Sequence, residues 1–320
     1  MNARSAKKLK KLDLVALAEW PVRVIGETVA LGLEIKAHPE RYRDALDRRT
    51  LIMIFEKPSL RTRVSFETGV TQMGGHAIYY DMSSSPLAAG KETVADMAAT
   101  LSRYVDVIMA RLFDHATIVE LARRATVPVI NGLTNFAHPT QALADLMTIR
   151  EKKGDWKGLK LAYLGDSRNN MTHSLLSGCA KVGMHIAVGC PRGREYRPDP
   201  RVVAQARRAA DRSGARVEIM DDPAAAARGA DVVYTDSWMS YHIPAERRAE
   251  RLRALAPYQV NAALMRQARR DAIFMNCLPA QRGVEQTAEV IDGPRSVVFD
   301  QAENRLHIHK AILLRVLGLA

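Results

Sequence analysis

Short runs of β-branched and aliphatic residues alternate with helical stretches along nearly all of the 320 residues, and no other feature limits the fold so tightly. In the first half the runs are "LIMIF" (51–55), "HAIYYDM" (76–82), "VDVIMAR" (105–111) and "VPVINGL" (127–133). In the second they are "LKLAYLGD" (159–166), "HIAVGC" (185–190), "RVEIMDD" (216–222), "DVVYTDS" (231–237) and "AIFMNCLP" (272–279). Such alternation predicts an α/β protein of two doubly wound parallel-sheet domains. A chain this long exceeds what one core usually fills, and domains of about 150 residues are expected. The stretch 138–158, helical and then turning at Gly154 and Gly158, carries the chain from one to the other. The closing segment, 302–320, reads as a long amphipathic helix after a strand-like "SVVF".

In open parallel sheets, ligands sit beyond the carboxyl ends of the strands. Applied to these runs, the rule selects Ser59 to Arg63, Arg111, Asn135 to Gln141, Asp166 to Asn170, Asp236 to His242, and Asn276 to Gln281. All six sets are polar, and one cleft between two domains could gather them. In "FEKPSLRTR" (55–63) a Ser, two Arg and a Thr stand where a strand hands over to a helix. The N–H groups of a helix's first turn lack internal partners, so the junction seats an anion. Two hydroxyls and two guanidinium groups suit an oxyanion such as phosphate. A lone S-x-R-T describes an N-cap serine with solvated arginines just as well; the other five sets tip the balance. "AYLGDSRNN" (162–170) carries no G-x-G-x-x-G, and "FEKPSLRTR" is not a Walker P-loop, which argues against a dinucleotide and a P-loop kinase. A phosphate seat facing Asp236, Asn170 and Cys277 suits a phosphorylated, activated small molecule meeting an amine.

The formal net charge of +12 is compatible with nucleic acid, acidic lipid or an anionic substrate. Yet the arginines of 201–216 and 245–255 are interleaved with alanines and acids, as on solvated helix faces, and no nucleic-acid-binding motif is present. The lysines of "AKKLKKL" (6–12) read as an exposed lead-in. No apolar run is long enough to span a bilayer, and the first residues lack a signal-peptide core and cleavage site, so a cytoplasmic protein is expected. Cys179, Cys190 and Cys277 form neither a disulfide framework nor a C-x-x-C metal pattern.

Six motifs occur in one order across essentially the whole chain: F-x-x-x-S-x-R-T at 55–62, "HPTQ" at 138–141, "GDSRNNMTHS" at 165–174, "YQVN" at 258–261, "CLPAQRG" at 277–283 and "VFDQAENRLHIHKA" at 298–311. Together they resemble the aspartate/ornithine carbamoyltransferase family, with the R-N-N and Cys-Leu-Pro motifs pointing to its ornithine branch. The resemblance implies carbamoyl phosphate as donor, held by Ser59, Leu60 through its backbone, Arg61 and Thr62. Arg111, His138, Gln141 and Arg305 would surround the carbamoyl end, with Cys277 and Leu278 closing the other side. Asn170, Asp236, Ser240 and Tyr241 would take the acceptor, and Arg111, His138, Asp236, Cys277 and Arg305 would be the catalytic set. It further implies a carbamoyl phosphate-binding domain over 1–142, with the helix 302–320 packing back on it, an acceptor domain over 143–301, and a homotrimer. The expected reaction joins the carbamoyl group to the δ-amine of ornithine, giving citrulline. A different diamine or amino acid is the alternative, and a non-catalytic relative a third.

The physical reading of these residues agrees. An amine attacking a carbonyl carbon generates an oxyanion, and Arg111, His138 and Thr62 supply fixed donors where that charge develops. Positioning and electrostatics then do most of the acceleration, with no covalent intermediate, metal or organic cofactor. Simpler roles compete residue by residue: His138 before a proline begins a helix, Cys277 is a buried apolar group, and Asn169 caps a helix while Asn170 faces the ligand. His173, His185, His307 and His309 read as structural or surface residues.

The chain also departs from the family's pattern. The family's D-x-x-x-S-M-G loop is "DSWMSYHIP" here, with Tyr241 and His242 in place of Met and Gly. A His at a positive φ is costly, so the loop is expected to take another path. The usual H-C-L-P is "NCLP", and Asn276 cannot titrate near neutral pH. In the loop 83–93, Leu87 stands where ornithine enzymes carry a Gln that reaches the carbamoyl phosphate of a neighbouring subunit, with Lys91 as a possible substitute.

Overall fold

The computed structural model describes residues 11–87, 89–239 and 243–320. The lysines of the N-terminal lead-in up to residue 10, and Ser240, Tyr241 and His242 of the acceptor loop, lie outside the described residues. The first half runs α1 (Val22–Ala37), β1 (Thr50–Phe55), α2 (Leu60–Thr71), β2 (His76–Asp81), α3 (Val94–Tyr104), β3 (Val107–Arg111), α4 (His115–Arg124), β4 (Val129–Leu133) and α5 (Pro139–Lys153). The second runs β5 (Lys160–Leu164), α6 (Asn170–Val182), β6 (His185–Gly189), α7 (Pro200–Ser213), β7 (Val217–Met220), α8 (Pro223–Ala227), β8 (Val232–Tyr234), α9 (Arg248–Leu255), α10 (Ala262–Gln267), β9 (Ile273–Met275), α11 (Ala288–Ile291) and α12 (Val298–Val316).

Both sheets are parallel, ordered β2-β1-β3-β4 and β7-β6-β5-β8-β9. Each order reverses once, between β1 and β3 and between β5 and β8, which is the doubly wound pattern that alternation predicts. The reversal opens a crevice at the strands' carboxyl ends, where adjacent loops diverge to opposite faces. Ser59 and Arg111 stand at the first crevice, Asn170 and Asp236 at the second.

Two separate cores do not form. The largest apolar cluster is continuous across both halves, from Met53 and Phe66 to Tyr163 and Met184, and each sheet has a smaller cluster on its outer face. The joint is helical. All eleven residues from Pro139 to Ile149 of α5 are buried, the pattern of a helix enclosed on every side, and α5 packs on α12, α1 and α6. Helix α12 packs in turn on α1, α5 and α2. It begins at Val298, so "SVVF" is not a strand: Ser296 makes one isolated bridge to Phe274, and Val298 and Phe299 open the helix. A four-residue apolar run has no period to tell strand from helix.

A histidine pins the halves together. His173 of α6 donates from Nδ1 to the Phe136 carbonyl (3.0 Å), and its Nε2 accepts the Asp199 N–H (3.0 Å). Both ring nitrogens are used by the neutral form, and burial pushes the group from its ordinary 6.5 down to about 4. Between those values the unfolded chain binds the extra proton, so stability present above pH 6.5 is lost as the pH falls toward 4. The full difference is roughly 3 kcal/mol for this almost inaccessible side chain. His173→Gln should therefore destabilise the protein at pH 7.5 and much less at pH 4.5, read from denaturant melts. A gap between variant and parent that does not narrow on acidification would count against this.

Candidate active site

Where the carboxyl ends of the two sheets face each other lies a cavity of about 490 Å³. Ser59 N-caps α2, its hydroxyl accepting the Thr62 N–H at 3.2 Å, and Leu60 and Arg61 of the first turn face the cavity. The Ser59 cap and free first-turn N–H groups coexist here, since capping one N–H leaves others of the turn pointing out of the helix. Arg111 ends β3 on the same wall, buried. Thr62 is fully buried and stands behind the wall, where its hydroxyl accepts from Arg305 Nη2 at 2.7 Å. Arg305, on α12, lines the cavity, and its Nε has no partner among the described residues. Burial, then the Arg111 charge, brings its pKa down to about 10, which leaves it cationic at neutral pH.

His138 and Gln141 open α5. Burial, with the Arg305 and Arg111 charges, holds His138 well below the usual imidazole range, so it is neutral. Its backbone N–H donates to the Ser174 hydroxyl of the other half (2.9 Å). The Thr140 hydroxyl lies 3.3 Å from Nδ1. A hydroxyl donating there leaves the ring proton on Nε2.

Gln141 is oriented from behind. Its Nε2 donates to Asp145 Oδ1 at 2.9 Å, so its Oε1, which has no partner among the described residues, is left as the acceptor. Asp145 has no exposure and also accepts from Gln301 Nε2 (2.7 Å) and the Tyr234 hydroxyl (3.2 Å). Burial raises its carboxyl to about 7 against those three donors. Gln301 accepts the Asn276 N–H (3.0 Å); Asn276 Oδ1 accepts the Leu278 N–H (2.8 Å) and its Nδ2 donates to Gln286 (3.1 Å). Leu278 has φ of 56°, a conformation that costs of order 1–3 kcal/mol in a non-glycine residue. The network holds it there, and that is what the Asn before Cys277 does. In Asp145→Asn, Nδ2 replaces one carboxylate oxygen, the Tyr234 hydroxyl loses its acceptor, and neutral bonds replace charge-assisted ones. Turnover is expected to fall about tenfold, the worth of roughly 1.4 kcal/mol in holding Gln141. An unchanged kcat in a folded variant would show that Gln141 needs no support.

The opposite wall is formed by Asn170, Asp236, Cys277 and Leu278. Asn169 caps α6, its side chain accepting from the Thr172 N–H, while Asn170 lines the cavity and donates to the Thr134 carbonyl of the first half (2.7 Å). The Cys277 thiol donates to Asp236 Oδ1 at 3.2 Å. Burial, with the Asp236 charge beside it, pushes that thiol well above its ordinary value, so it stays a donor and is no nucleophile. Burial raises the Asp236 carboxyl as well.

One group lining the cavity, Lys57, and one behind it, Asp145, were not singled out by sequence reasoning. Lys57, two residues before Ser59, is 3% exposed; its ammonium donates to Asn135 Oδ1 (2.7 Å) and sits 4.4 Å from the Phe113 ring centre. Burial, then the Arg111 charge, lowers it to about 8. Its signal was its place inside "FEKPSLRTR". Asp145 had a signal too: an acid four residues after Gln141, inside an otherwise apolar stretch of helix. In the 83–93 loop, Leu87 is half-buried against the outer cluster of the first sheet, and Lys91 is exposed. Among the described residues no group of three or more His, Cys, Asp or Glu is placed to hold a metal, and no helix is long and apolar enough to cross a membrane.

Two doubly wound domains with a cationic oxyanion seat facing a carboxylate define a class: α/β proteins that act on an anionic, phosphorylated small molecule in an interdomain cleft. Residues 12–151 match the family described as aspartate/ornithine carbamoyltransferase, carbamoyl-P binding domain, and residues 157–316 its Asp/Orn binding domain. The chain is 51% identical to the ornithine carbamoyltransferase of Anoxybacillus flavithermus over 99% of its own length and 100% of that protein's. The solved ornithine carbamoyltransferase of Pyrococcus furiosus superimposes with a TM-score of 0.92 at 48% identity, covering 97% of this chain and 98% of that one. The ornithine transcarbamoylase of Giardia lamblia does so at 0.89 and 40%, covering 97% and 99%. The chain belongs to the aspartate/ornithine carbamoyltransferase family.

Proposed function

We propose that this carbamoyltransferase moves the carbamoyl group of carbamoyl phosphate to the δ-amine of L-ornithine, giving L-citrulline and phosphate. The observation that carries the reading is the convergence of the Ser59–Thr62 helix start, Arg111, His138, Gln141 and Arg305 on one cavity opposite Asp236 and Cys277, in a chain about half identical to ornithine carbamoyltransferases over its whole length. The helix start and Arg61 bind the phosphate. Arg111, neutral His138 and Arg305 donate to the carbonyl oxygen, and Gln141 Oε1 accepts from the carbamoyl NH2. Asp236, with the Cys277 thiol on its Oδ1, holds the incoming amine. The neutral amine attacks the carbonyl carbon and the charge on the carbonyl oxygen grows toward its fixed donors. The bond from carbon to the bridging oxygen then breaks, phosphate leaves with the electron pair, and the amine's proton passes to the phosphate. Nothing in these steps calls for a metal, an organic cofactor or a covalent intermediate.

The same reading assigns the donor to residues 1–142 with the C-terminal helix, and the acceptor to 143–301, Asn170, Asp236, Ser240 and Tyr241 being its contacts. It places the protein in the cytoplasm as a homotrimer. Leu60 and Val64 of α2 and Ile78 and Tyr79 of β2 are exposed on adjacent elements, an apolar surface that suits subunit contact. Tyr241 and His242 favour a second reading, in which another diamine or amino acid is preferred. Phosphate release should be measured with carbamoyl phosphate and L-ornithine, L-lysine, L-2,4-diaminobutyrate or putrescine. L-ornithine is expected to give the highest kcat/KM. Putrescine outperforming every amino acid would overturn the acceptor, and no release with any amine would overturn the reaction.

A further inference from the structure

Three loops present the acceptor wall: one after β5, leading to Asn170, one after β8, bearing Asp236, and one after β9, bearing Cys277 and Leu278. Two buried charged groups tie all three to the backbone of one residue, Trp238. Arg251 of α9 and Asp166 of the β5 loop are each 3% exposed and paired at 2.5 Å from Nη2 to Oδ2. Arg251 Nε donates to the Trp238 carbonyl (3.1 Å), and its guanidinium lies 5.0 Å from the Tyr196 ring centre. From the other side, Glu285 Oε1 accepts the Trp238 N–H (3.3 Å) while Oε2 accepts the Gln281 N–H of the β9 loop (2.9 Å). The Trp238 indole lies on Gly165, whose φ is 119°; a Cβ there would stand 2.6 Å from Nε1. The Asp166 carbonyl accepts from Asn169 Nδ2 (2.8 Å), so the ion pair continues into the cap that starts α6 at Asn170.

Asp166 and Arg251 lie outside the lining of the main cavity; they face a second one of about 660 Å³. A buried ion pair seldom stabilises a fold more than apolar residues of the same volume would. What it supplies is fixed geometry, and a misplacement of about 1 Å at a reacting group can cost a hundredfold in rate. Resting on the reading of Asp236 as the amine's partner, we propose that Arg251, Asp166 and Glu285 form a clamp on Trp238 that sets the position of Asp236 two residues away. They are positioning residues for the acceptor, not the donor.

Arg251→Lys keeps a cation opposite Asp166 but cannot also reach the Trp238 carbonyl. Glu285→Gln leaves one amide oxygen to accept from two N–H donors and turns an NH2 toward the other, which weakens the grip from this side. Steady-state kinetics with both substrates varied should show the ornithine KM rising at least tenfold in Arg251→Lys and severalfold in Glu285→Gln, with the carbamoyl phosphate KM within twofold of the parent. A general loosening of the fold would raise both KM values together, and that result, or an unmoved ornithine KM in folded variants, overturns the clamp. If Arg251→Lys does not fold, Glu285→Gln decides. Absence of turnover by the unmodified enzyme with any amine would instead overturn the function on which the clamp rests.

Discussion

Replacing Arg61 with glutamine is expected to lower kcat/KM for carbamoyl phosphate by about 10³-fold, since removing one partner of a desolvated charge pair costs about 2–5 kcal/mol and each 1.4 kcal/mol is tenfold. Arg61 sits in the first turn of α2, on the cavity wall, where the helix's free N–H groups and its positive end already favour an anion. A planar fork there would grip two phosphate oxygens at once. Lysine offers the charge without the fork, so Arg61→Lys should recover only part of the loss. The side chain is half-buried at the cleft, and α2 is held by Ser59 at its start and by its packing on α12, so the fold should survive. Unchanged kinetics in Arg61→Lys would remove the phosphate seat.

Asp236→Asn is expected to raise the ornithine KM and lower kcat/KM for ornithine by about 10²-fold or more, through loss of a charge-assisted contact in a partly desolvated site. Asparagine keeps the shape and still accepts from the Cys277 thiol, so the change isolates the charge. Burial already strains that charge, raising its carboxyl above the ordinary value, and an amine N–H donating to it would relieve the strain on binding. Carbamoyl phosphate affinity, measured calorimetrically without the acceptor, should stay the same or tighten slightly as a nearby negative charge is lost. A matching loss for both substrates would mean that Asp236 supports the cleft instead of the amine.

Much of the fold and part of the cleft are legible in the sequence because both follow from local chemistry. Nine apolar runs with helical segments between them leave few alternatives to parallel sheets, and the carboxyl-end rule then picks Ser59, Arg111, His138, Asn170, Asp236 and Cys277 before any family likeness is considered. Arg305 is different. It sits in mid-helix, more than two hundred residues from Thr62, and only the resemblance in "AENRLHIHKA" pointed to it. The Arg251–Asp166 pair spans 85 positions, and nothing in "AERRAERLRAL" marks one arginine of several as buried. Asp145 escaped notice because "PTQALADLMTIREKK" mixes Thr, Gln, Arg, Glu and Lys with its apolar residues, so one more acid read as solvated until the helix was seen to be enclosed. "SVVF" misled for a different reason: its composition favours a strand, but α12 starts at Val298, which is buried, while Phe299 beside it is exposed on the helix's first turn.

The central claim is direct transfer of the carbamoyl group to ornithine within this cleft. Carbamoyl phosphate labelled in its carbonyl carbon should be supplied with L-ornithine and the carbon followed by nuclear magnetic resonance while phosphate is assayed in parallel. The expected result is a ureido resonance of citrulline growing at the rate of phosphate release, with no other labelled product. Label passing to bicarbonate or cyanate while ornithine stays unmodified would contradict it.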